Sequence, residues 1–161
     1  MIISENKRIR KTLSLLIAIL AYYLIHEGAH LIFALFTGSC KSIRFMGLIG
    51  MQIEIEEAQM SNLQLGLFCL AGPLATLIVA WILTRLTPRI CASSSIFFRA
   101  IMYYATLVLL CLDPIYLSIL FRFVGGGDMN GISLLIPQSL AVLIFALLLL
   151  LNLFLFFKKA I

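Results

Sequence analysis

Charged residues are scarce in this chain of 161 residues. Asp, Glu, Lys and Arg together make up 12% of it and hydrophobic residues 63%, whereas an ordinary soluble domain has about 25% charged residues. This balance excludes a soluble globular protein and indicates an integral membrane protein. The sequence has no polar stretch long enough for a second domain and no internal repeat. We therefore expect a single membrane-embedded domain over residues 1–161.

Four apolar runs are long enough to cross a bilayer, which takes about 20 residues in a helix. They cover residues 12–36, 62–84, 95–121 and 138–157. These runs predict an α-helical polytopic membrane protein with about four transmembrane helices.

The basic residues are distributed unevenly around these runs. Nine of the twelve fall on one side of the membrane if all four runs cross it: Lys7, Arg8, Arg10, Lys11, Arg85, Arg89, Arg99, Lys158 and Lys159. Because Lys and Arg favour the cytoplasmic side, we expect both termini in the cytoplasm. The expected location is a bacterial plasma membrane. The charges are not clustered on a soluble surface, so nucleic acid is not an expected partner.

Paired cysteines are also missing. The four cysteines show no Cys-x-x-Cys or other paired spacing. Cys69 and Cys111 fall within apolar runs, where cysteine usually behaves as a small hydrophobic residue. We expect neither a disulfide framework nor a thiolate metal site.

Histidine occurs only twice, and both copies lie in the first apolar run, in His26-Glu27-Gly28-Ala29-His30. Residues four apart share one face of a helix, so both imidazoles can reach one metal ion. This His-Glu-x-x-His pattern is typical of zinc hydrolases, in which the glutamate acts as general base on a water molecule. An ionisable residue within a span costs roughly 2.5–3.5 kcal/mol, so three of them so close together indicate a function. The alternatives are a structural histidine pair and a pair of haem ligands.

Residues 42–57 differ from the apolar runs on either side. Nearly every second residue is apolar, namely Ile43, Phe45, Ile49, Met51, Ile53 and Ile55. A period of two predicts a strand or a hairpin, with Gly47 or Gly50 supplying a turn or bulge. The sheet edge must lie at the interface or be covered by protein. It either holds an extended substrate by backbone pairing or is a structural cap on the helices.

A catalytic zinc site needs a third protein ligand and one open position. Asp128 is the leading candidate, because its glycine-rich loop 125–131 predicts a broken or re-entrant helix before the last span. An ordinary surface turn is the alternative for that loop. Asp113, in the third run, is an alternative ligand or a partner that holds a ligating histidine. Glu54 ranks third, in strand-like sequence.

In three motifs the chain resembles the site-2 protease family of intramembrane zinc metalloproteases, in a minimal form without a PDZ domain. The first motif is the His26–His30 segment. The second is Ala71-Gly72-Pro73-Leu74-Ala75-Thr76, where the family usually has Ala-Gly-Pro-Leu-Ala-Asn, and the third is Gly127-Asp128-Met129-Asn130-Gly131, in the place of a Leu-Asp-Gly-Gly motif. The resemblance covers roughly residues 15–136. Asp-Met-Asn-Gly departs from the family's Asp-Gly-Gly, and the asparagine and proline run that usually precedes it is missing.

The resemblance implies hydrolysis of peptide bonds within or beside the membrane. His26, His30 and Asp128 would bind one Zn²⁺ per chain, Glu27 would be the general base and then the acid, and Asn130 would contact the oxyanion or the substrate. The implied partners are the lipid bilayer and a membrane-protein or hydrophobic-peptide substrate; the oligomeric state is open. A catalytically inactive membrane protein that binds or chaperones a partner is an alternative function, and a metal transporter is another.

Overall fold

A computed structural model describes residues 6–46 and 50–160 of the chain. The long helices are α1 (Lys7–Thr37), α2 (Asn62–Arg85), α4 (Ile96–Ile115) and α7 (Gln138–Ala160). The short ones are α3 (Thr87–Cys91), α5 (Phe121–Val124) and α6 (Gly127–Ile132). Strands β1 (Cys40–Met46) and β2 (Gly50–Ile55) follow α1, with a 3₁₀ turn at Glu57–Gln59. A π-helical turn at Tyr116–Leu120 joins α4 to α5.

Four helical segments are long and apolar enough to span a membrane, so the predicted fold class is confirmed. They are Lys7–Thr37, Asn62–Arg85, Ile96–Val124 and Gln138–Lys158. The main difference in boundaries is that α1 begins at Lys7 rather than at residue 12. The Asn6 side chain accepts hydrogen bonds from the backbone N–H groups of Arg8 and Ile9, and this cap allows the helix to start within the basic segment.

The predicted strand segment is an antiparallel hairpin, which confirms the period-two pattern. Ile43 lies opposite Ile53, and Phe45 opposite Met51. Gly50 is the first residue of β2, while the predicted turn residue Gly47 lies outside the described residues. Among the described strands β2 pairs only with β1, and it packs against α1. One edge of β2 therefore has no strand partner in the part of the chain that the structure describes.

Helices α1, α2 and α4 pack against one another, and α7 packs on α4 and on the π-helical turn. One buried cluster includes Leu77, Leu117, Met129 and Phe145 and surrounds the short helix α6. A second, smaller cluster lies closer to the basic ends of the spans and includes Leu109, Leu110, Ala80 and Phe156. The chain thus forms one helical bundle with the hairpin at its side.

A buried asparagine connects three of the spans. Pro114 lacks an N–H group, so it cannot hydrogen-bond to the Leu110 carbonyl one turn earlier. Asn152 of α7 is fully buried and donates from Nδ2 to that carbonyl at 2.8 Å. Its Oδ1 accepts from Trp81 Nε1 of α2 at 3.0 Å. Because an unpaired buried polar group costs free energy, this bridge satisfies the freed carbonyl and links α2, α4 and α7.

The predicted break before the last span is present, but the structure differs from the predicted loop 125–131. The third span ends at Gly125, whose φ of +96° favours glycine. The Tyr116 hydroxyl donates to the Gly125 carbonyl at 2.9 Å and fixes this reversal of the chain. Residues Gly127–Ile132 then form α6, so Asp128 is held in the first turn of a helix, where the partial positive charge of the amides favours a carboxylate.

Candidate metal centre

Both histidines are buried on one face of α1. They are one turn apart, and their Nε2 atoms lie 3.1 Å from each other. Only 7% of His26 and 4% of His30 is exposed. The sequence spacing therefore brings the two imidazoles together inside the bundle, as predicted.

The other ring nitrogen of each histidine, Nδ1, lies next to a hydrogen-bond acceptor. His30 Nδ1 lies 2.7 Å from the Phe68 carbonyl, and His26 Nδ1 lies 3.2 Å from Asp113 Oδ1. A carbonyl and a carboxylate only accept, so we assign the proton of each ring to Nδ1. Each Nε2 is then left with a lone pair that can bind a metal ion.

Asp128 reaches the same point from α6. Its Oδ2 lies 3.2 Å from His26 Nε2, and its Oδ1 lies 3.5 Å from His30 Nε2. Zinc bonds of 2.0–2.2 Å in a tetrahedral site imply distances between ligand atoms of about 3.3–3.6 Å. The two Nε2 atoms and the Asp128 carboxylate are all acceptors with no proton donor among them, and such a buried group favours a bound cation. Both the spacing and the chemistry of His26, His30 and Asp128 fit a zinc ion.

Asp113 and Glu54, the other two candidates for the third ligand, lie elsewhere. Asp113 is fully buried and contacts the far nitrogen of His26, so it orients this histidine. It accepts hydrogen bonds from the Tyr22 hydroxyl at 2.6 Å and from the Thr76 hydroxyl. Glu54 instead accepts from the Ser42 hydroxyl at 2.5 Å and from Arg44 Nε at 2.9 Å on the hairpin.

The segment Ala71–Thr76 of α2 forms the wall of the site opposite α1. Pro73 lacks an N–H group and loosens the preceding turn, and the Phe68 carbonyl that accepts from His30 belongs to that turn. A Cβ atom on Gly72 would lie 2.5 Å from His30 Nε2 and 2.8 Å from His26 Nε2. Only glycine therefore allows α2 to approach the two imidazoles this closely.

Gly72→Ala is expected to lower zinc affinity by about 10- to 100-fold, the usual effect of disturbing the groups that orient metal ligands. The added methyl group would displace both Nε2 atoms. Gly28→Ala is the matched control, because a Cβ there meets nothing within 4 Å. Competition with a chelator measures the zinc affinity of both variants. Equal affinities in the two variants would contradict the proposed position of the metal ion.

Glu27 lies beside the three converging groups and is not one of them. It is half-buried and lines a cavity of about 1210 Å³ together with His26, His30 and Asp128. The far wall of this cavity includes Ile53 and its neighbours on β2. The site therefore combines three groups whose geometry fits a metal ion, a carboxylate outside them and an open space next to both.

Asn130, the predicted contact for the oxyanion or substrate, is exposed on α6. Its side chain packs against Gly126, where a Cβ would lie 2.5 Å from Asn130 Oδ1. Asn130 is not among the residues that line the cavity. Tyr116 does line the cavity, and its hydroxyl donates to the Gly125 carbonyl just before the Asp128 segment.

Sequence reasoning missed several residues that build the site. Tyr22 precedes His26 by one turn of α1, so its position on the same face was a usable signal. In the sequence Thr76 is recognisable only as the last residue of the Ala71–Thr76 motif, without a role, and no local pattern connects it or the Phe68 carbonyl with the histidines.

Comparison with known proteins gives no family assignment: no family model, curated protein or solved structure matches this chain. The function of the protein is therefore inferred from its motifs and from the geometry of the site.

Proposed function

We propose that the protein is an intramembrane zinc endopeptidase of the site-2 protease type, which hydrolyses peptide bonds in or next to transmembrane segments of membrane proteins or in hydrophobic peptides. The observation that carries the proposal is the convergence of His26 Nε2, His30 Nε2 and the Asp128 carboxylate at 3.1–3.5 Å. A bound zinc ion would supply Lewis-acid activation of water and of the scissile carbonyl. Three protein ligands are the number found in catalytic rather than structural zinc sites.

Glu27 is the proposed general base and acid. It follows His26 directly on α1, and its carboxylate belongs to the wall of the open cavity rather than to the converging group. In this position it takes a proton from the attacking water and returns it to the leaving amine. Asp113 keeps the His26 ring oriented and takes no part in proton transfer, since its oxygens are occupied by Tyr22, Thr76 and His26.

The cavity suggests how a substrate is held. One edge of β2 has no strand partner within the described residues, and Gln52, Ile53 and Ile55 of this strand line the cavity. An unwound substrate segment can pair with such an edge through its backbone. Extended backbone is also the conformation in which a peptide bond is open to attack, so a helical segment must unwind before it is cut.

The orientation in the membrane is part of the proposal. The basic residues gather at the ends of the spans that carry both termini, and the positive-inside rule assigns this side to the cytoplasm. The proposed location is a bacterial plasma membrane.

The direct test measures zinc content and cleavage for the purified wild-type protein in detergent, with a mixed panel of transmembrane peptides as substrates. We expect one zinc ion per chain that survives dialysis, and cleavage at internal peptide bonds that stops when a chelator removes the metal. Retained zinc without any cleavage would favour the inactive binding protein. Zinc that exchanges freely and crosses vesicle membranes with the protein would favour a transporter.

A further inference from the structure

A second cavity lies at the opposite end of the bundle from the metal centre. Its volume is about 420 Å³, within the usual range for sites that hold small molecules. It is bounded by the start of α1, the end of α2, the start of α4 and the end of α7, together with α3. Lys11, at its rim, precedes His26 by 15 residues, which is about 22 Å along the axis of α1. None of the metal-binding residues lines this cavity.

The lining of this cavity is apolar inside and basic at the rim. The buried and half-buried apolar side chains of the lining include Ile90, Ala100, Met102 and Phe156. Three cationic side chains, Arg10, Lys11 and Arg99, complete the lining. A ligand that fits it must combine a hydrocarbon part with an anionic group.

The three threonines of the lining already use their hydroxyl protons, so the hydroxyls of Tyr103 and Tyr104 are the remaining neutral polar groups of the lining. Thr84, Thr87 and Thr106 line the cavity, but each hydroxyl donates to a backbone carbonyl of the bundle. Arg99 uses only Nη1 in its hydrogen bonds to the carbonyls of Cys91 and Ser93. The guanidinium group has five N–H donors in a planar fork, so its Nη2 and Nε donors remain for an anion such as phosphate.

The wider charge distribution favours the same ligand. Eight basic residues described by the structure gather at this end: Lys7, Arg8, Arg10, Lys11, Arg85, Arg89, Arg99 and Lys158. The six described acidic residues lie at the metal centre, along its cavity or on the hairpin. The described acidic side chains therefore lie away from Lys11 and Arg99.

We infer that the cavity binds one anionic phospholipid, with an acyl chain among Ile90, Met102 and Phe156 and the phosphate between Lys11 and Arg99. Basic pockets between transmembrane helices suit anionic headgroups, and the cytoplasmic leaflet supplies them. The bound lipid lies between α1 and α4 at the end where neither the hairpin nor α6 holds the helices together. Lipid binding is thus separate from metal binding and from the proposed cleavage.

Cys91 provides a direct probe, because it lines this cavity and its side chain is exposed. The full-length protein is placed in vesicles of phosphatidylcholine alone, or of equal amounts of phosphatidylcholine and phosphatidylglycerol. N-ethylmaleimide modification of Cys91 is then followed by peptide mass spectrometry, with Cys40 at the other end of the bundle as internal reference. We expect phosphatidylglycerol to slow the modification of Cys91 by about 30-fold, the effect of two cationic contacts at roughly 1 kcal/mol each.

Two double variants that lose the same charge show whether the protection of Cys91 comes from a specific lipid site or from the general surface potential. Lys11→Gln with Arg99→Gln removes rim charges, whereas Arg85→Gln with Arg89→Gln removes two charges at the same end that do not line the cavity. Only the rim variant should lose the slowing by phosphatidylglycerol. Because Arg99 also holds the Cys91 and Ser93 carbonyls, Lys11→Gln alone and the charge-preserving Arg99→Lys check that the loop is intact.

The inference is overturned if both double variants respond alike, because the effect would then come from the surface potential. It is also overturned if phosphatidylcholine alone protects Cys91 as well as the mixture does. Zinc content should be the same in all of these variants, so failure of this inference leaves the proposed peptidase unaffected.

Discussion

Glu27→Gln is expected to abolish peptide-bond cleavage while one zinc ion stays bound per chain. The glutamine has the size and shape of the glutamate but cannot take a proton from water. Since Glu27 lies outside the group formed by His26, His30 and Asp128, its replacement leaves the ligands in place. General acid–base catalysis contributes about 10²–10⁴-fold, so we expect kcat to fall by at least about 10²-fold. Peptide cleavage and zinc content, measured on the same preparation, test this expectation.

Glu57→Gln is the matched control for this variant. Glu57 lines the same cavity but is exposed on the 3₁₀ turn, away from the histidines. Its replacement removes the same charge from the cavity and should leave both cleavage and zinc content near wild type. Full activity of Glu27→Gln would remove Glu27 from the mechanism, and loss of zinc would show that it supports the metal site instead.

Asp128→Ala is expected to lose the zinc ion, and activity with it. Apparent zinc-binding free energies of about 10–16 kcal/mol, divided over four ligands, correspond to roughly 3 kcal/mol per ligand. Removal of one ligand should therefore lower the zinc affinity by about 10²–10³-fold. The alanine also leaves two buried imidazoles without the carboxylate that lies 3.2 and 3.5 Å from them. Zinc analysis after purification and chelator competition measure the effect.

Asp113→Asn distinguishes a ligand from a group that orients one. Asp113 contacts Nδ1 of His26, on the far side of the ring from Asp128. We expect this variant to keep zinc with an affinity that is about 10- to 100-fold lower, as for other groups that position a ligand. If Asp113→Asn lost the metal and Asp128→Ala kept it, the ligand set would be wrong, although the class of enzyme would survive.

The spans and the hairpin were predictable because each follows from a local pattern. Long apolar runs give the helices directly, and the alternation from Ile43 to Ile55 gives the two strands. The helix ends were harder to predict, because the Asn6 cap lets α1 begin before its apolar run. Loop 125–131 was expected from its glycines, but a single residue with positive φ, Gly125, accounts for the break, and α6 forms immediately afterwards.

The third member of the metal-binding group could be ranked but not decided from the sequence. Asp113 and Asp128 both follow the histidines by more than 80 residues. A separation of that length in the sequence does not determine how far apart two side chains lie in the fold. Asp128 rather than Asp113 reaches the Nε2 atoms because the π-helical turn and the reversal at Gly125 bring α6 back against α1 and α2. Such effects depend on packing between helices and leave no periodic signal in the sequence.

Asn152 has a consequence for the last span. Helix α7 is apolar on nearly every side, from Leu140 to Phe157, so the surrounding lipid gives it almost no preference for the face that it turns inward. The two hydrogen bonds of Asn152, to Leu110 and to Trp81, are directional and have no equivalent partner in lipid. One polar side chain therefore fixes the rotation of the whole helix about its own axis.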